Sequence, residues 1–197
     1  MIADVSGHGV GAALVSSMLK IAFASQFNNL EDPAYVLMEI NRILQGKIED
    51  SFVTACALYL DTDKRTLRYA NAGHPPPMLW RRSVMKIIKL ERGKIVLGPF
   101  PNIVYKNEEL NLVEEDRLLL YTDGLTELRD KSNQYFGEHH LEKLLESHSN
   151  DSADFTSEYI LEHLYKWSGR SHDISLDDDL TFIILDVVSL PPVSDFA

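Results

Sequence analysis

The chain has 197 residues, 45% hydrophobic and 25% charged, the mix of one globular domain or slightly more with a real core. Thirty acids against 19 bases leave a net charge of −11, which argues against general nucleic-acid binding and against an electrostatic membrane anchor. No run approaches the ~20 apolar residues of a membrane span, and the one cysteine, Cys56, allows no internal disulfide and fits a reducing cytoplasm.

The chain opens with Ile2-Ala3-Asp4-Val5, an apolar lead-in that delivers Asp4 to a glycine-rich turn around Gly7, Gly9 and Gly11. Residues 10–29 then read as a helix, with Ala12, Ala13, Val15, Met18, Leu19, Ala22 and Phe23 at helical spacing. Helix N-termini favour anions, so the turn could hold a phosphate. The same glycines would equally serve tight turning and close packing alone. Neither a Walker loop nor a dinucleotide fingerprint is present, since the lysine and the spacing are missing. Asp32-Pro33 predicts a second helix, with Asp as N-cap and Pro in the first turn. Val36, Leu37, Ile40, Ile43 and Leu44 form its stripe, and Gly46 ends or weakens it.

From residue 52 the period changes. Residues 52–60 and 66–71 read as strands around a turn at 61–64, a β-hairpin. Asn71-Ala72-Gly73-His74-Pro75-Pro76-Pro77 carries too many prolines for a central strand and reads as a rigid connection, with His74 in a structural place beneath it. Strands follow at 78–80, 84–90 and 104–113, with a loose loop at 93–101. Leu118-Leu119-Leu120-Tyr121 is a short apolar run that suits a buried strand. It stops at Thr122-Asp123-Gly124, where Gly124 should permit a turn and Asp123 should emerge at the sheet edge. An Asp in this place commonly caps a helix or turn. Two helices, 138–147 and 153–167, precede Asp177-Asp178-Asp179 and a final strand at 180–188. His139, His140, His148, His163 and His172 read as surface residues.

The order helix–helix, six or seven strands, helix–helix, strand implies an α+β fold of mainly antiparallel sheets with helices outside. Residues 1–190 read as one domain and 191–197 as a frayed tail. Asp4, Asp123 and the Asp177–Asp179 run each stand at a strand end, so they could converge at one sheet edge. Converging carboxylates repel unless protonated or bound to cations, and oxygen-only ligands favour Mg²⁺ or Mn²⁺.

Four stretches in order, Asp4-Val5-Ser6-Gly7-His8-Gly9-Val10-Gly11-Ala12-Ala13-Leu14, Asn71-Ala72-Gly73-His74-Pro75-Pro76, Tyr121-Thr122-Asp123-Gly124-Leu125-Thr126-Glu127 and Asp178-Asp179-Leu180-Thr181, carry a family resemblance. The sequence resembles the metal-dependent serine/threonine phosphatases of the type 2C superfamily, in the bacterial branch of stage II sporulation protein E and the sigma-B regulator RsbU. The resemblance implies an αββα sandwich of two mainly antiparallel sheets with a two-metal Mg²⁺ or Mn²⁺ centre at one edge. Carried over, Asp4 bridges the cations, the Val5 carbonyl faces one of them, and Asp123 and Asp178 hold the second side. Asp179 supports them, and His8 either protonates the leaving serine oxygen or only shapes its turn. Metal-activated water would attack directly, with no phospho-enzyme.

The implied substrate is phosphoserine on a regulatory protein such as an anti-sigma-factor antagonist, with a sensor or receiver domain upstream. Family members also carry an early strand with Gly-Asp-x-Tyr-Asp and a further metal-binding Asp. The present sequence starts after it, so the resemblance reads the domain as truncated at the N-terminus. The expected consequences are weaker cation binding, weak or absent catalysis, and an open sheet edge that invites a homodimer. The competing reading keeps the fold as a non-catalytic regulatory module that binds a partner through its helices.

Overall fold

Along residues 53–58, Val53, Ala55 and Ala57 alternate with Thr54, Cys56 and Leu58, so a strand here sends its small apolar side chains to one face. The structure, a computed structural model, describes residues 1–48, 51–91, 93–169 and 179–191. In chain order the elements begin with β1 (Ile2–Val5), α1 (Gly9–Ala24), α2 (Pro33–Leu44), β2 (Val53–Asp61), β3 (Thr66–Ala72), β4 (Met78–Arg81) and β5 (Lys86–Lys89). They continue with β6 (Glu108–Asn111), β7 (Asp116–Tyr121), a one-turn helix α3 (Asp123–Thr126), α4 (Gly137–Ser147), α5 (Ala153–Ser168) and β8 (Phe182–Asp186). They form two compact units that interleave in sequence. The first takes Met1–Pro76, Glu91–Leu112 and the chain end from Leu190; the second takes Pro77–Leu90 and Val113–Ser189. Each contains one four-stranded antiparallel sheet.

In the first unit the strand order is β1-β2-β3-β6. Val53, Ala55 and Ala57 of β2 and Ala70 and Ala72 of β3 pack against Val15, Leu19 and Ala22 of α1 and Val36, Leu37, Ile40 and Leu44 of α2. The strand alanines leave room for the large helix side chains to sit close to the sheet. Leu37, Ile40 and Leu44 are fully buried, and each such burial contributes roughly 1.5–3 kcal/mol. Asp32 caps α2 as its sequence foretells, accepting the Tyr35 N–H at 3.0 Å. Helix α1 ends earlier than its apolar pattern suggests, and a 3-10 turn occupies Phe27–Asn29. At the break, Ser25 turns its hydroxyl back onto the Ala22 carbonyl at 2.6 Å, and Gln26 donates to Ser25 Oγ at 2.9 Å. Such local bonds compete with helical continuation.

The expected strand at 104–113 is reduced to β6 at Glu108–Asn111. Tyr105 instead turns inward to the core, and burial pushes its hydroxyl up to about 12. Cys56 is fully buried, and desolvation pushes its thiol up to about 12 as well.

In the second unit the order is β5-β4-β7-β8. Every residue of β7 is buried. Met78, Trp80, Leu119 and Tyr121 pack against Leu141, Leu144 and Leu145 of α4 and Ile160 and Leu164 of α5. No helix among the described residues is long and apolar enough to cross a membrane.

Candidate functional site

The proposed site residues fall at strand ends in both units, and each end is built differently. In the first unit β1 runs antiparallel to β2 with Asp4 opposite Thr54 and Val5 opposite Val53. Ser6 extends the pairing: its N–H donates to the Phe52 carbonyl at 2.9 Å, and its hydroxyl accepts the Phe52 N–H at 2.8 Å. Sequence reasoning assigned Ser6 no role of its own, because a cross-strand backbone bond has no local signal. Beyond it Gly7 and Gly9 take φ of +89° and +79°, a region other residues avoid, and so the chain reverses into α1. A Cβ at Gly7, Gly9 or Gly11 would meet nothing within 4 Å. Gly7 and Gly9 therefore serve the turn, and among the described residues nothing packs closely enough on any of the three to require a glycine. His8 holds the N-cap position of α1, is exposed, and makes no capping hydrogen bond. The first N–H groups of this 16-residue helix have no partner within the helix and no side-chain cap from His8.

In the second unit β7 delivers Thr122 and Asp123. Thr122 is bound to the segment leading into β8: its N–H donates to the Thr181 carbonyl at 2.9 Å, and its hydroxyl accepts the Thr181 N–H at 3.1 Å. The same hydroxyl lies 3.5 Å from the Asp179 carbonyl. The structure therefore brings the backbone at Asp179 beside the end of β7. Asp178 and Asp177 lie outside the described residues, as does His172. Asp123 opens α3, with Thr122 as its N-cap residue. The turn expected of Gly124 is not what happens there. Gly124 is buried inside α3 and is not among the glycines with positive φ, so the chain leaves β7 by a helical turn.

Asp123 Oδ1 is buried and has no hydrogen-bond partner among the described residues. A buried carboxylate oxygen is costly unless a donor, a water or a cation satisfies it. Its chemistry fits a hard divalent cation held by oxygen ligands. Among the described residues no three His, Cys, Asp or Glu side chains form a metal-holding group. An apolar cavity of about 240 Å³ in the first unit, lined by residues including Phe23, Val36 and Tyr59, includes neither Asp4 nor His8 in its wall.

Three further histidines, His140, His148 and His163, lie against aromatic rings of α5. His140 stands 4.6 Å from Trp167, and His148 and His163 stand 3.7 and 4.3 Å from Tyr159, centroid to centroid.

Comparison with known proteins gives a consistent family. The model of the stage II sporulation protein E family matches residues 1–188. Phosphoserine phosphatase RsbU of Bacillus subtilis is 34% identical over 185 residues, which are 93% of this chain and 54% of RsbU. The chain spans about half the length of the curated relatives it matches. Among solved structures, the SiaA-PP2C domain of Pseudomonas aeruginosa superposes with a TM-score of 0.81 at 21% identity, covering 93% of this chain and 73% of that one. RsbX in complex with magnesium gives a TM-score of 0.63 at 20% identity, covering 92% of this chain and 77% of RsbX. These likenesses support the two-sheet fold.

Proposed function

The chain belongs to the stage II sporulation protein E family, and from that premise we propose that it is a metal-dependent protein serine phosphatase domain. Residues 1–190 act as one domain, since neither compact unit is a continuous stretch of chain. The observation that carries the reading is the buried Asp123 Oδ1 at the end of β7, which has no donor among the described residues. Asp4, the Val5 carbonyl, Asp123 and Asp178 are the ligands for Mg²⁺ or Mn²⁺, with Asp179 in support. The magnesium-bound neighbour supports the choice of cation. Bound there, the ions supply charge neutralisation for the phosphoryl group and acidify water.

The rest of the chemistry belongs to the protein. The open N-terminus of α1 orients the phosphate through backbone N–H groups and the helix dipole. His8 protonates the leaving serine oxygen from its exposed position beside that N-terminus. Cys56, buried with its thiol at about 12, offers no nucleophile, which supports direct displacement by water. The substrate is phosphoserine on a regulatory protein such as an anti-sigma-factor antagonist. The naming of the relative RsbU as a phosphoserine phosphatase supports this substrate class. The setting is cytoplasmic.

The test is phosphate release from a phosphoserine peptide with Mn²⁺, with EDTA, and with Asp123→Asn. Turnover should need Mn²⁺ and vanish with EDTA. Asp123→Asn should abolish it while leaving the circular-dichroism spectrum unchanged, because the amide keeps the shape and loses the charge. Turnover that survives in Asp123→Asn would remove Asp123 from the mechanism. A folded chain that binds a partner and releases no phosphate would favour a non-catalytic module.

A further inference from the structure

The turn after β3 is locked from several directions. Asn71 accepts the His74 N–H at 2.8 Å and donates to the His74 carbonyl at 3.1 Å. Gly73 has φ +74°, and a Cβ there would come within 2.8 Å of Val96 Cγ1, so a side chain is resisted on two counts. The turn fixes the backbone of His74, whose side chain is fully buried. A turn that needed only a rigid filler would use an apolar side chain, because burying an imidazole costs free energy unless its nitrogens are used. Here one is used on a specific partner: His74 Nδ1 and Thr54 Oγ1 share a hydrogen bond at 2.9 Å.

Thr54 lies directly opposite Asp4 in the β1–β2 register. Residues directly opposite in an antiparallel pair project from the same face, with Cβ atoms about 4.5–5.5 Å apart. The face is the one turned away from the helices, since the alternate residues Ala3, Val5, Val53 and Ala55 pack into the core with α1 and α2. The hydroxyl held by His74 is therefore level with the Asp4 carboxylate and on its side of the sheet.

We propose that His74 is a positioning residue of the site: it fixes the Thr54 hydroxyl beside Asp4, and so sets the orientation in which Asp4 receives a divalent cation. This rests on the reading of Asp4 as a cation ligand given above. Loss of a group that orients a metal ligand typically costs 10–100-fold in metal affinity or activity.

The test measures Mn²⁺ affinity by the loss of the free-ion electron paramagnetic signal, alongside turnover of a phosphoserine peptide and thermal melting. Thr54→Val keeps the shape and removes the hydroxyl. His74→Leu removes the imidazole. Each should weaken Mn²⁺ binding about 10–100-fold and lower kcat with little change in KM for the peptide. The double variant should be no worse than either single one, because both break the same bond. Thr54→Ser, and His74→Asn with an amide near the place of Nδ1, should recover part of the affinity. Additive losses, or Mn²⁺ affinity unchanged in folded Thr54→Val, would overturn the proposal. Should His74→Leu fail to fold, Thr54→Val and Thr54→Ser decide alone. A wild-type chain that neither binds Mn²⁺ nor releases phosphate would instead remove the functional reading, and this proposal with it.

Discussion

Arg117 shows how much one charged residue can organise when its donors are all used. Its side chain is only 4% exposed. Nε and Nη2 donate to the two carboxylate oxygens of Asp186 at 2.6 and 2.9 Å, joining β7 to β8. Nη1 donates to the His148 carbonyl at 2.8 Å and to Thr156 Oγ1 at 2.7 Å, and Nη2 donates to the Asp151 carbonyl. One guanidinium thereby ties two strands to the end of α4 and the start of α5. A methionine of similar length would leave the Asp186 carboxylate without its two-pronged donor and would take one donor each from the part-buried His148 and Asp151 carbonyls. Arg117→Met should cost about 3 kcal/mol, the low end for breaking a buried pair, since Asp186 keeps some contact with water. In a thermal melt that is a fall of roughly 6–12 °C for a chain of this size. A fall within 2 °C would show that water or backbone movement replaces the guanidinium without loss.

At the scale of the element, α2 depends on a cap with two members. Asp32 Oδ1 accepts the Tyr35 N–H at 3.0 Å and an amide proton of Asn107 at 2.6 Å, while Asn107 Oδ1 accepts the Ala34 N–H at 2.8 Å. Burial is the largest single influence and opposes the charge on Asp32, but the bonds from Asn107 and Tyr35, with Arg68 nearby, together outweigh it and hold the carboxyl below the usual 3.8. Asp32→Ala should cost about 1 kcal/mol, or roughly 2–4 °C. Because the folded pKa lies below the unfolded one, the part of this stability that comes from the carboxylate charge is present above pH 4 and is lost as pH falls through the folded value. Melts of both proteins from pH 7 to pH 3 should therefore converge in acid, and a constant gap would separate the cap from its charge.

This cap was legible because Asp-Pro is a local signal. The end of α1 was not, because the bonds of Ser25 and Gln26 that stop it leave the apolar period intact. Asp4 and Asp123 could be picked out because each follows an apolar strand and meets glycine. Thr54 could not, because alternation reveals which face a residue takes and leaves its cross-strand partner open. The bond between His74, read from the sequence as structural, and Thr54 was hidden for the same reason: the two residues lie 20 positions apart, on different segments of the chain.

For the molecule as a whole, the excess of acids bears on the approach of the proposed phosphoserine substrate. A net charge of −11 repels a phosphoserine side chain, which itself carries about −1.5 to −2 near neutral pH. Bound divalent cations would offset this only near themselves. The long-range field reaches about 30 Å at 0.01 M salt and about 10 Å at 0.1 M, so salt should weaken the repulsion while leaving contacts inside the site nearly untouched. For an acidic phosphopeptide at saturating Mn²⁺, raising NaCl from 0.01 to 0.15 M should lower KM several-fold and leave kcat steady. A lysine-flanked phosphopeptide of the same length should respond in the opposite sense, since screening then removes an attraction. The opposed signs matter because a general effect of salt on folding or on metal binding would move both peptides the same way. Parallel shifts would mean that the acidic surface is remote from the path of the substrate, and that its charge serves solubility alone.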